Sequence, residues 1–168
     1  SNAQYAFGKV RKSNGTGTLL ANCMYQEGVA LYHLGRFRTC GERFGEFLKN
    51  FPNDSRVPDA LIWRAEALYQ DGKYDEAERA YADALKGMKD SPKKEDAMYG
   101  VAWTLFEQKK FSQAAGAFER YTSAYPNGEK KLEASLRKAD CYFFMGQYDK
   151  SSALYEALKS GHLGGAAL

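Results

Sequence analysis

The chain has 168 residues, 44% of them hydrophobic and 27% charged, with a net charge of +3. That length and balance suit one globular domain and exclude a disordered chain. So mild a mixed-sign surplus gives no electrostatic reason to bind nucleic acid, and no apolar run approaches the roughly 20 residues of a membrane span.

The dominant signal is an internal period. Turn positions fall at Gly35, Gly72, Lys109 and Gly146, and the differences 72−35, 109−72 and 146−109 are each 37. Seven columns keep phase with them: Gly28/Ala65/Ala102/Ala139, Leu31/Leu68/Leu105/Tyr142, Tyr32/Tyr69/Phe106/Phe143, Phe37/Tyr74/Phe111/Tyr148, Cys40/Ala77/Ala114/Ser151, and Phe44/Tyr81/Phe118/Tyr155, together with the junctions treated below. Apolar and small residues three and four apart mark one face of a helix. Each copy therefore predicts a helix A before the turn and a helix B after it, antiparallel because the turn is only about four residues. The tiny residue of A and the small residue of B permit close approach, and the glycine is expected to end A in a left-handed conformation. Lys109 takes that position at some strain.

In chain order, the opening Ser-Asn-Ala reads as a remnant of tag removal, so missing targeting signals say nothing about the parent protein. One period back from the first full copy, Ala3, Phe7 and Val10 match the helix B columns, although Ala3 belongs to the remnant. Residues 1–16 are thus expected to be the remnant plus the second helix of a truncated earlier repeat. Repeats follow at 17–53, 54–90, 91–127 and 128–161, then a flexible tail at 162–168. Thr16, Asn53, Asp90 and Asn127 are in phase as N-caps of the A helices. Ser91–Pro92 offers an alternative start, and Pro52 and Pro126 help to stop helix B. Gly161, Gly164 and Gly165 are expected to break the last helix, and no polar capping helix follows, as in a piece of a longer array.

The columns resemble the tetratricopeptide repeat, shown most fully by "WRAEALYQDGKYDEAERAYADAL" and covering roughly residues 17 to 160. The family's usual period is about 34 residues; the additional ones fall between helix B and the next helix A, as in "FPNDSRVPDALIW". With the aromatic–Pro ends "FLKNFPNDS" and "YTSAYPNGE", this is similar to the longer repeats of bacterial envelope proteins, such as outer-membrane assembly lipoproteins and periplasmic Tol–Pal coordinators. The resemblance implies an all-α, α–α superhelical solenoid whose A helices line a concave groove. It also implies a periplasmic or outer-membrane setting, with the cytoplasm as the alternative.

Carried over by column, the groove residues are Tyr25, Ile62, Tyr99 and Leu136; Val29, Glu66, Trp103 and Asp140; and Tyr32, Tyr69, Phe106 and Phe143. His33, Gln70 and Glu107 form a polar edge broken by Phe144, and Asn22, Asp59, Asp96 and Glu133 lie near the helix starts. Two readings stand for most of these. The aromatic column and Trp63 can pack between repeats, and the acids can serve the helix dipole. Trp103 is either a core filler or a binding anchor, since its column otherwise holds Val, Glu and Asp. Lys49, Lys73, Lys93, Lys94, Lys130 and Lys131 read as loops and a solvated outer face. Family members that grip acidic C-terminal tails use Lys and Asn in the groove columns; these columns lack them, so a partner helix or extended peptide fits better.

Catalysis has no support in the residues. The histidines are only His33 and His162, and no triad, metal-protease or phosphate-loop motif is present. Three scattered cysteines, Cys23, Cys40 and Cys141, argue for free thiols over disulfides or zinc. The expectation is a protein–protein interaction scaffold without a cofactor or metal. Its partner would be a protein or peptide, not nucleic acid, and this chain would not insert into a membrane. Self-association through exposed terminal repeats is the alternative.

Overall fold

The computed structural model describes residues 17–88 and 92–164. Among them every element is a helix: α1 (Gly17–His33), α2 (Phe37–Asn50), α3 (Val57–Gln70), α4 (Tyr74–Gly87), α5 (Pro92–Glu107), α6 (Phe111–Ala124), α7 (Lys131–Phe144) and α8 (Tyr148–Gly164). Two compact units result, α1–α4 and α5–α8. Thr16, Asp90, Ser91, Gly165 and the 1–16 reading with Phe7 and Val10 lie outside the described residues.

Each helix A ends as its turn residue demands. Gly35, Gly72 and Gly146 have φ of 69°, 75° and 73°, and Lys109 has φ of 58°. In the first copy the Gly35 amide donates to the Tyr32 carbonyl and the Arg36 amide to the Leu31 carbonyl, both at 2.9 Å. The other three turns repeat this pair of bonds, which satisfies the last carbonyls of the helix. A left-handed conformation costs a residue with a Cβ about 1–2 kcal/mol. Lys109→Gly is therefore expected to stabilise the unit by about 0.5–1 kcal/mol once the entropy of an unfolded glycine is deducted. Urea denaturation checks this, and an unchanged or lowered midpoint would contradict it.

The tiny and small columns meet where the pairs close. Ala65, Ala102 and Ala139 are fully buried, as are Ala77 and Ala114. In the first repeat the Cys40 thiol reaches the Gly28 carbonyl at 3.3 Å, and in the fourth the Ser151 hydroxyl donates to the Ala139 carbonyl at 2.9 Å. A Cβ on Gly28 would stand 2.7 Å from the Phe44 ring, so the first pair is closer than its alanine counterparts tolerate. Burial pushes the Cys40 and Cys141 thiols up to about 11 and 12, which keeps both protonated and inert near neutral pH. All three cysteines are free.

Two expectations about helix ends need correction. Asn53 and Asn127 do not cap α3 and α7: the N-cap residues are Arg56 and Lys130, and neither makes a side-chain capping bond. The additional junction residues wind as successive turns, with the Asp54 amide bonded to the Phe51 carbonyl and the Val57 amide to the Asp54 carbonyl. That winding moves each helix start past the asparagine. Nor does Gly161 break α8, which continues through Gly164. Glycine within a helix costs about 1 kcal/mol and stops it only where the chain turns left-handed. Other ends hold as expected: Pro92 starts α5, and Pro52 and Pro126 follow the C-caps Phe51 and Tyr125.

At the first junction Asp54 accepts from the Arg56 side chain at 2.8 and 2.7 Å and from its backbone amide at 3.0 Å. These bonds hold its carboxyl at about 2, below the ordinary 3.8. A carboxyl with a lowered folded-state pKa stabilises above its unfolded value and loses that effect as pH falls through the folded one. The α1–α4 unit is expected to lose stability between about pH 4 and pH 2 in a way that Asp54→Asn removes. Acid titrations of both proteins check this, and identical acid limbs would contradict it.

Candidate functional site

Eleven of the twelve expected groove residues are half-buried, and Phe143 is exposed. In α1–α4, Tyr25 lies edge-on to Phe44 and Phe47 at 5.6 and 5.8 Å, and Tyr32 meets Phe37 at 5.4 Å and Trp63 at 5.0 Å. Tyr69 meets Tyr74 at 5.4 Å. In α5–α8 a ladder runs along α5, from Tyr99 to Trp103 at 6.2 Å and on to Phe106 at 5.6 Å. Beneath the ladder are Phe118 and Tyr121, both fully buried. The Tyr99 hydroxyl is buried without a hydrogen-bond partner. Burial pushes its pKa up to about 12, and the Glu133 carboxylate adds to the rise.

Basic residues reach this face, contrary to the solvated role expected of Lys130. Arg56 donates to the Asn22 side chain at 2.6 Å and lies 5.3 Å over the Tyr25 ring. Two periods on, Lys130 bonds to Asp96 and lies 5.3 Å over Tyr99. A cation ending one repeat's junction thus clamps the polar residue and tyrosine of the preceding helix A. Arg56, Lys93 and Lys130 are spaced by the repeat, so the column was visible in the sequence. Reading lysines as a solvated face hid it. Asn22 and Asp96 consequently hold a neighbouring cation rather than serving the helix dipole alone.

The acids of the second column also have internal partners. Tyr155 donates to Asp140, which pairs in turn with Arg137. Burial raises the pKa of Tyr81, and hydrogen bonding to Glu66 raises it further. In the even-numbered repeats an acid of helix A therefore meets a tyrosine of helix B. In the odd-numbered repeats the same two columns hold Val29 with Phe44 and Trp103 with Phe118.

Trp103 and Trp63 turn out to be alternative solutions to one packing problem. Phe44 is covered by Trp63 of the next repeat, stacked at 6.4 Å and 4°. Phe118 is covered by Trp103 of its own repeat, edge-on at 6.2 Å, with Arg137 lying 5.3 Å over the indole. Arg137 stands two periods after Trp63, and Trp103 two periods after Val29. The indole has moved from one helix to the other and an arginine has taken its former place.

Two family models, both described as tetratricopeptide repeat, match residues 56–127 and 133–161. The chain belongs to the tetratricopeptide repeat family. Its α–α superhelical repeat fold is shared with solved structures at low identity. A Podosopora anserina kinesin light chain protein with nearly identical TPR-like repeats aligns at TM-score 0.78 and 11% identity, over 99% of this chain and 86% of that one. BtubC from P. vanneervenii aligns at 0.77 and 15%, over 99% and 72%. MamA aligns at 0.75 and 16%, over 98% and 89%. No curated protein sequence matches the chain. Among the described residues no helix is long and apolar enough to cross a membrane, and no cluster of three or more His, Cys, Asp or Glu could hold a metal ion.

Proposed function

We propose that this tetratricopeptide repeat protein is a binding scaffold that receives a partner helix or extended peptide along the face of its A helices. The α5 ladder carries the reading: Tyr99, Trp103 and Phe106 lie in line on one helix, half-buried, with exposed Asp96 and Glu107 towards its two ends. Half-buried aromatics give a partner area to desolvate without a large ordering cost, and the flanking acids set its direction. The cations on the face are engaged by Asp96 and Asp140, so nucleic acid is a poor fit. The role is binding, not catalysis. The aromatic–Pro junctions favour bacterial envelope assembly as the setting, which fractionation of source cells would test.

The exposed rim is where this reading can be tested without disturbing the packing. Glu107→Arg is expected to reduce co-purified partner at least fivefold while leaving the thermal midpoint within about 2 °C. Undiminished partner recovery would refute the A-helix face as the site. Self-association is the second reading, because Phe143, Phe144 and Tyr148 are 52%, 56% and 62% exposed. Light scattering that shows a dimer lost in Phe143→Ala would favour it.

A further inference from the structure

Three aromatic rings of the A helices each carry a cation that an acid holds in place. Arg56 lies 5.3 Å over Tyr25 and pairs with Asp54 at 2.7 Å. Lys130 lies 5.3 Å over Tyr99 and pairs with Asp96, and Arg137 lies 5.3 Å over Trp103 and pairs with Asp140. The ring face attracts the cation and the carboxylate fixes where it sits. One further ring and acid hold no cation among the described residues. Phe144 stacks on Phe111 at 4.8 Å and meets Phe106, the residue before Glu107, at 5.9 Å, yet it is 56% exposed. Glu107 is exposed, and its side chain has no partner among the described residues.

This opening does not depend on where the sequence stops. Phe144 shares a column with His33 and Glu107, and each of those two is followed by another helix A in its own unit, α3 and α7. Both stay exposed. A following repeat therefore leaves the column open, whereas in the adjacent column Trp63 reaches Tyr32 and Phe144 reaches Phe106. Only the fourth copy places an aromatic ring in the open column.

We propose, on the reading that the A-helix face receives the partner, that Phe144 and Glu107 take an arginine side chain from it. The guanidinium lies flat on the outer face of Phe144 and donates along its edge to the Glu107 carboxylate. Phe111 backs the ring on its other face and holds it for the contact. Arginine suits the pair better than lysine, because a planar guanidinium stacks and donates at once, while an ammonium is a compact and strongly hydrated charge. A partner carboxylate is repelled by Glu107, and an apolar side chain would bury that acid unpaired. The exposed Lys109 and Lys110 that follow in the turn oppose a second partner cation beside the first.

The probe is a dodecapeptide selected from a random displayed library on the whole chain, then labelled and followed by anisotropy. Selected peptides are expected to share one arginine. Its replacement by citrulline, which keeps the shape and removes the charge, should weaken binding about fivefold or more. Glu107→Gln and Phe144→Leu should each weaken the arginine peptide, and the citrulline peptide should be indifferent to Glu107→Gln. Glu107 is exposed, so that variant reads binding without disturbing the packing. Peptides that share no arginine, or that bind equally well with citrulline, overturn the proposal and leave the scaffold reading standing. So does a citrulline effect that is unchanged in Glu107→Gln, because the arginine would then sit elsewhere. A library that yields no binding peptide overturns both.

Discussion

Phe118→Ala is expected to lower the stability of the α5–α8 unit by about 3–5 kcal/mol, the usual cost of emptying a buried aromatic site. Phe118 is fully buried, with Tyr99 and Trp103 each 6.2 Å away edge-on. It belongs to one buried cluster drawn from three helices, with Ala102 and Leu105 on α5, Ala114 and Ala117 on α6, and Ala134 and Cys141 on α7. Alanines cannot collapse into the space, because they have no side chain to extend. The cavity therefore persists and the cost stays high. Urea unfolding followed by far-UV circular dichroism measures the loss, and a change under about 1 kcal/mol would mean that the ring does not organise this core.

Trp103→Ala should cost about 2–3 kcal/mol, less than a fully buried indole because Trp103 is half-buried. The same loss is expected in α1–α4 from Trp63→Ala, since each indole covers the equivalent phenylalanine. The two solutions should also be exchangeable. Val29→Trp with Trp63→Arg recreates in the first unit the arrangement of the second, and is expected to recover at least about half of what Trp63→Ala loses. Denaturation midpoints of the three variants decide it. A double variant no more stable than Trp63→Ala would show that the exchange depends on other differences between the units. The prediction also bears on binding: loss of partner capture in Trp103→Ala would have to be separated from loss of fold, whereas variants at exposed Glu107 avoid that ambiguity.

The repeat architecture was legible because its determinants are local and recur. Gly35, Gly72, Lys109 and Gly146 fix the turns, and the small columns fix the approach of each helix pair. Both kinds of signal survive in a single sequence when repeated in phase. The N-caps were misread because an N-cap depends on the path of the preceding loop: the turns around Asp54 carry the chain past Asn53 before α3 begins. The site was less legible for a different reason. Periodicity assigns a residue to a helix face but does not say which long side chain folds back over that face. Lys130 on Tyr99, Arg137 on Trp103 and Tyr155 on Asp140 are pairings between elements. They become visible in the sequence only when columns are compared two repeats apart, where Val29 with Trp63 gives way to Trp103 with Arg137. Within the aromatic column, Tyr32 meets Trp63 and Phe106 meets Phe144 of the following repeat, whereas Tyr69 and Phe143 meet Tyr74 and Tyr148 of their own.

The central claim is that a protein partner is received along the A helices and not on the outer side of the B helices. Site-specific photo-crosslinking in the source cell tests it most directly. A photoreactive phenylalanine would replace, one at a time, the exposed His33 and Glu107 of the A helices and the exposed Glu42 and Arg79 of the B helices. The account predicts a discrete protein adduct from His33 or Glu107 and none from Glu42 or Arg79. Adducts formed only from Glu42 and Arg79 would contradict it.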